Sequence, residues 1–236
     1  MPFCRECGGQ VEATWKFCAH CNYAQPKSDE GSSIQSVNVK ISDVGHIEGG
    51  ITNIQNNAED IAAAMVLALE RMGFSGQSSP AELTPSQEAE VEQVLEMSEQ
   101  LASHGIEIDP WTEITLGNAA KLAGRTHSAQ QHYLRALQTF RKNGDRGGEA
   151  RSLNNLGNIA LSRGDLVEAE RLQRESLAIM REIGDREGEA DSLHGLGDIM
   201  NSKGQHDEER RMYTEAVRIR REIGIPIDQW FIDNGY

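Results

Sequence analysis

Apolar residues in the second half of the chain follow two periods, one short and one long. From Gly148 to Ser162, Leu153, Leu156, Ile159 and Ala160 line one side of a helical pattern; from Leu166 to Ile183, Leu166, Ala169, Leu172, Leu177 and Met180 do the same. Such spacing gives each segment one apolar stripe and predicts two helices. Gly164-Asp165 divides them, because glycine reaches the left-handed conformation that ends a helix. The pattern then returns forty positions later: Gly-Asp-Arg-Gly-Gly-Glu-Ala begins at Gly144 and Gly-Asp-Arg-Glu-Gly-Glu-Ala at Gly184. Leu116-Gly117, Leu156-Gly157 and Leu196-Gly197 keep the same step, as do Gly124, Gly164 and Gly204. A fixed period of this length predicts a helical-hairpin solenoid over Trp111–Gly224. One hairpin cannot cover its own stripe, so neighbouring hairpins must stack.

Leu-Gly, a turn glycine, then Ala129 or Ala169, Tyr133 or Tyr213, and Ala136, Ser176 or Ala216 in register make up a recognisable signature. It resembles the tetratricopeptide repeat. The forty-residue spacing is similar to the longer variant found in kinesin light chain and related bacterial scaffolds. Two positions depart from the family pattern: Gln173 stands where an aromatic is usual and Glu209 where alanine is usual. The resemblance implies a mainly α solenoid whose first helices line a concave face that holds partner proteins.

Upstream of the repeats, Thr84-Pro85-x-x-Glu88 reads as an N-cap, a proline at the first helical position and an acidic first turn. The helix it opens runs to about Ser103 and predicts an N-terminal cap for the solenoid, which spans 84–236 with a C-terminal tail. Residues 74–83 read as a linker and residues 58–73 as a helix that is apolar nearly all round, packed against the solenoid or against copies of itself. Within 26–57, a linker leads to a β-prone stretch. Val37, Val39 and Ile41 alternate with polar residues, and Ile47, Ile51 and Ile54 sit among glycines. That stretch has too little apolar mass to fold alone. It reads as strands that pair between copies, as flexible linker, or as a hairpin within the chain. Its Gly-x-Ile-x-Gly-Gly-x-x-Asn-Ile-x-Asn sequence is similar to short amyloid-type signalling motifs beside bacterial conflict domains. In the tail, Trp230 and Phe231 either seal the last hairpin, or fold into the groove, or present themselves to a partner.

Residues 1–25 hold all four cysteines, as Cys4-x-x-Cys7 and Cys18-x-x-Cys21. Two thiolates on a tight turn span two corners of a tetrahedron, and a second turn supplies the other two. Without a secretion signal, this pairing predicts one structural zinc ion rather than disulfides. The segment resembles the short bacterial zinc ribbons, and with so little core it is expected to unfold without metal. Four thiolates leave no open coordination position for catalysis.

Charge narrows the partners. Residues 28–110 carry fifteen acidic and two basic residues, and the chain as a whole has a net charge of −14. An acidic chain is repelled by phosphate backbones, which argues against nonspecific nucleic-acid binding. No run reaches the roughly 18 apolar residues that span a bilayer, and no apolar signal core opens the chain; the expectation is a cytoplasmic protein. Neither a Gly-x-x-x-x-Gly-Lys loop nor a Gly-x-Ser-x-Gly elbow occurs, and His104, His127, His132, His194 and His206 are scattered. The chain therefore reads as non-enzymatic.

Binding residues are expected on the first helix of each hairpin. Asn118, Asn158 and Asp198 lie forty apart and predict a stacked polar ladder, with Thr115, Lys121, Asn154, Asn155 and His194 nearby. Asparagine both donates and accepts, so such a row suits a peptide backbone; the same row would also serve as a merely solvated inner face. Two function classes follow. One is a protein-interaction scaffold or adaptor, tethered or multimerised through residues 36–72 and placed in bacterial signalling or defence. The other is a nucleic-acid-associated regulator in which the ribbon makes contact and the solenoid senses a partner.

Overall fold

The computed structural model describes residues 58–74 and 80–236, with side chains from Ile61 onward. The cysteines Cys4, Cys7, Cys18 and Cys21 and the β-prone residues Val37, Val39, Ile41, Ile47, Ile51 and Ile54 lie outside the described residues. All regular structure among the described residues is helical: α1 (Ala58–Arg71), α2 (Pro85–Ser103), α3 (Pro110–Leu122), α4 (Thr126–Asn143), α5 (Arg146–Ser162), α6 (Leu166–Ile183), α7 (Arg186–Ser202), α8 (His206–Glu222) and α9 (Gln229–Asp233). Helices α3 to α8 form three hairpins, each packed on the next.

The local sequence explains where helices begin. Asp145, Asp165 and Asp185 each accept a hydrogen bond from the amide three residues on, at 2.8, 3.1 and 2.9 Å, which satisfies an otherwise orphaned donor of the first turn. The cap places the start of α5 at Arg146, two residues before the Gly148 start read from apolar spacing. Thr84 caps α2 as the sequence predicts, in a capping box completed by Gln87 at the third helical position, with Glu88 as the acidic residue of the first turn.

Glycine sets how closely the paired helices approach. A Cβ on Gly117 would lie 2.3 Å from the Tyr133 ring and one on Gly197 2.3 Å from the Tyr213 ring, while at Gly157 the nearest atoms, on Gln173, are at 3.0 Å. The three glycines occupy equivalent crossing points, which fixes a common register for the hairpins. Gly148 does the same between hairpins, where an added Cβ would meet Phe140 at 2.3 Å.

Charged groups staple one hairpin to the next. Glu149 is buried, yet it accepts from Arg141 at 2.9 Å and from Arg146 at 2.5 Å. Glu189 repeats this with Arg181 at 2.8 Å and with Arg186. Arg141 reaches on to Glu175 at 2.8 Å, and Arg146 to Glu182 at 2.8 Å. The repeated Gly-Asp-Arg-x-Gly-Glu-Ala motif is thus a helix end, a cap, a cation, a close approach, a buried carboxylate and a buried methyl in sequence.

At the front, α1 buries Ile61, Met65, Ala68 and Leu69 and packs on α2 and α3, while Leu67 stays exposed. At the back, Phe231 of α9 is buried against Tyr213 and Val217. Tyr236 closes the tail: its carbonyl accepts from Arg221 at 3.0 Å, and its hydroxyl donates to Glu209 at 3.3 Å. Glu209, at the family's alanine position, serves this contact, and Tyr213 beside it remains fully packed.

Candidate functional site

The first helices of the hairpins, α3, α5 and α7, form a wall, because α5 touches both α3 and α7. The second helices, α4, α6 and α8, stand further apart from one another. A layer with its first helices touching and its second helices spread curves with the first helices inside. This inner wall carries every residue of the expected ladder.

The ladder residues are half-buried, and each one meets a side chain of the facing helix fifteen positions on. The Tyr133 hydroxyl donates to Asn118 Oδ1 at 2.8 Å, Gln173 Nε2 to Asn158 Oδ1 at 2.9 Å, and the Tyr213 hydroxyl to Asp198 Oδ1 at 2.6 Å. Burial raises the Tyr133 phenol well above its usual range. Burial, and then the Asp198 carboxylate, raise Tyr213 likewise. Both tyrosines are therefore held as donors. Asn154 belongs to the same network: it donates to Gln173 Oε1 at 3.1 Å, accepts from Asn158 at 3.3 Å, and its carbonyl accepts from Gln173 at 3.1 Å. Asn155 is half-buried and has no side-chain hydrogen bond among the described residues.

Lys121 stands at the first-hairpin end of the wall. It is exposed by surface area yet flanked by protein, and that desolvation lowers its ammonium below the ordinary value. Trp111 lies at the opposite end of α3, edge-on to Phe140 with ring centres 4.9 Å apart and beneath the Arg151 guanidinium at 5.9 Å. His194 lies at the other end, its ring 5.0 Å from Phe231 and 5.7 Å from Tyr213, and burial lowers its pKa despite Asp198 at 3.7 Å. The tail therefore packs its rings against His194 and Tyr213, while Asp198 stays part-exposed and Lys121, Asn154, Asn155 and Asn158 lie on the part of the wall that the tail rings do not touch.

Sequence reasoning named the ladder but missed its partners Tyr133, Gln173 and Tyr213. The constant offset of fifteen was the available signal. Also missed was the arginine clamp on Glu149 and Glu189, for which the repeated motif was the signal. Among the described residues, no group of His, Cys, Asp and Glu gathers as a metal site, and no helix is long and apolar enough to cross a membrane.

Comparison with known proteins agrees with this architecture. The tetratricopeptide repeat model matches residues 110–182 and 148–222. None of the curated proteins matches the chain. Among solved structures, BtubC (BKLC) from P. vanneervenii aligns with a TM-score of 0.50 at 19% identity, covering 80% of this chain and 84% of that one. A Podosopora anserina kinesin light chain structure with nearly identical TPR-like repeats aligns with a TM-score of 0.47 at 17% identity, covering 74% of this chain and 92% of that one. At such identities the likeness to BtubC concerns the fold. Residues 110–222 of this chain thus match the tetratricopeptide repeat model in the register set by Gly117, Gly157 and Gly197, and such repeats fit a protein-interaction role in general.

Proposed function

We propose that this protein is a non-enzymatic scaffold whose inner wall holds a segment of a partner protein. The observation that carries the reading is the uncovered polar wall itself: Asn154, Asn155 and Asn158 half-exposed in the middle hairpin, with Lys121 at one end. Amide side chains can pair with a peptide backbone of varied sequence, and Lys121, already partly desolvated, would favour a carboxylate there. Asn118, His194 and Asp198 shape the two flanks.

The front of the chain is proposed to tether or multimerise this scaffold. Cys4, Cys7, Cys18 and Cys21 would hold one structural zinc ion, and of residues 36–72 the β-prone part, 36–57, would bring copies together, since α1 is packed on α2 and α3, in the setting of bacterial signalling or defence.

Site-specific photo-crosslinking tests the reading. A benzophenone side chain placed at Lys121 or Asn155 of the full chain in its native host is expected to capture one partner. The same group at Val167, which is 79% exposed on α6, is expected to leave that partner uncaptured. Equal capture from both faces would refute an inner-wall site.

A further inference from the structure

The spread of the second helices leaves an open cavity of about 370 Å³ between α4 and α6, on the side opposite the polar wall. Leu134, Leu137, Leu156, Ile159, Ala160 and Leu172 make its apolar lining, and Arg163 stands at its edge with Gln130. The repeat supplies an internal comparison. Forty positions on, Gln130, Leu134 and Ala160 become Glu170, Arg174 and Met200, and Arg163 becomes Lys203. There Met200 is buried, and Glu170 is ion-paired with both Arg174 and Lys203. At the equivalent downstream position a larger buried side chain thus stands in place of Ala160, and the cation is ion-paired.

Upstream, neither holds among the described residues. Arg163 donates to the neutral Gln130 Oε1 at 2.6 Å and has no carboxylate partner among the described residues. The other two arginines on the rim are already neutralised, Arg141 by Glu149 and Glu175, and Arg171 by Glu168 and Glu175. Asp165, also on the rim, is engaged as the cap of α6. What remains is an open hollow with a floor of leucine, isoleucine and alanine side chains, a polar rim that includes Glu168 and Glu175, and one exposed guanidinium, Arg163, without a carboxylate partner among the described residues.

We propose that this cavity binds a small amphipathic anion, an apolar chain of about eight to ten carbons ending in a carboxylate. The chain lies on Leu134, Leu137, Leu156 and Leu172, and the carboxylate takes the Arg163 guanidinium in a charge-assisted hydrogen bond in place of Gln130. Size favours a small molecule over a protein. The volume falls at the low end of small-molecule sites, whereas a protein partner would need a footprint of about 800 Å².

Calorimetric titration of the full chain with sodium octanoate, and with 1-octanol as its uncharged counterpart, tests the proposal. One saturable octanoate site per chain is expected. Arg163→Ala is expected to weaken octanoate about tenfold and leave octanol unchanged, since only the anion uses the charge-assisted contact. Ala160→Met, copying Met200, is expected to remove both ligands by filling the floor. Gln130→Glu, copying Glu170, is expected to remove octanoate alone, and as a surface change it keeps the test valid if the methionine variant misfolds. Absence of saturable octanoate binding, binding that survives Ala160→Met, or indifference to Arg163→Ala each overturns the site.

Discussion

Gln173 donates to Asn158 at 2.9 Å from the seat that Tyr133 and Tyr213 hold in the hairpins on either side. It is fully buried and pinched: a Cβ on Gly157 would lie 3.0 Å from it and one on Gly195 2.5 Å. The middle hairpin thus replaces a ring by an amide that binds both the Asn154 carbonyl and the Asn158 side chain. Asn158→Ala is expected to lower stability by about 1 kcal/mol, because Gln173 loses an acceptor in a buried setting. Denaturant titration of the full chain measures it.

The crossing glycines are expected to differ in tolerance. Gly117→Ala and Gly197→Ala drive a methyl into a tyrosine ring and are expected to cost about 1–3 kcal/mol. Gly157→Ala meets the Gln173 side chain at 3.0 Å, a wider gap than the 2.3 Å at the two tyrosine rings, and is expected to cost less than either. Melting temperatures of the three variants decide the order, and equal losses would contradict the geometry.

The arginine clamps predict an acid limb. Burial pushes the Glu149 carboxyl up, but hydrogen bonds from Arg141 and Arg146 outweigh it and the net direction is down. Glu170 is lowered by Lys203 and Arg174. A carboxyl depressed in the folded state contributes stability that is present above its unfolded pKa, near 4.5, and lost as pH falls through the lower folded value. Unfolding free energy is therefore expected to be level from pH 7 to about 5 on this account and to fall below it. Glu149→Gln is expected to flatten that limb.

His194 predicts a second, milder dependence confined to the tail. Its pKa is lowered from 6.5, chiefly by burial, with Arg220 also lowering it and Asp198, Asp191 and Asp228 opposing. The unfolded or detached state then binds the proton more readily. The contact is at full strength above pH 6.5 and weakens as pH falls through that value toward the folded one. Trp230 emission is the readout, since the ring stacks on Tyr236 beside this histidine. Phe231→Ala is expected to remove the pH dependence and to cost about 3 kcal/mol.

Metal content is the remaining prediction. Purified full-length protein is expected to carry one zinc ion, and Cys4→Ser with Cys7→Ser to remove it while far-ultraviolet helicity persists. Helicity lost together with the metal would show that the front segment and the solenoid fold as one.

The hairpins and their register were legible because their signals are local: Gly164 and Gly204 mark turns, and Leu-Gly pairs mark crossings. Helix starts were less so. At Gly148 the apolar count begins only after the Asp145 cap and one free turn have passed, whereas Thr84, Pro85 and Glu88 mark the start of α2 as the sequence reads it. The polar ladder could be located from period alone, but not its pairing with Tyr133, Gln173 and Tyr213. That pairing depends on how closely two helix axes approach, which the missing methyls of Gly117 and Gly197 decide in three dimensions.

The Arg141–Glu149 and Arg181–Glu189 contacts each span a joint between hairpins. A forty-residue cassette from Gly144 to Ile183 therefore carries an acceptor, Glu149, at its leading edge and a donor, Arg181, at its trailing edge. A duplicated cassette would find its complement at both seams, so this array can lengthen or shorten by whole units without any junction being reinvented.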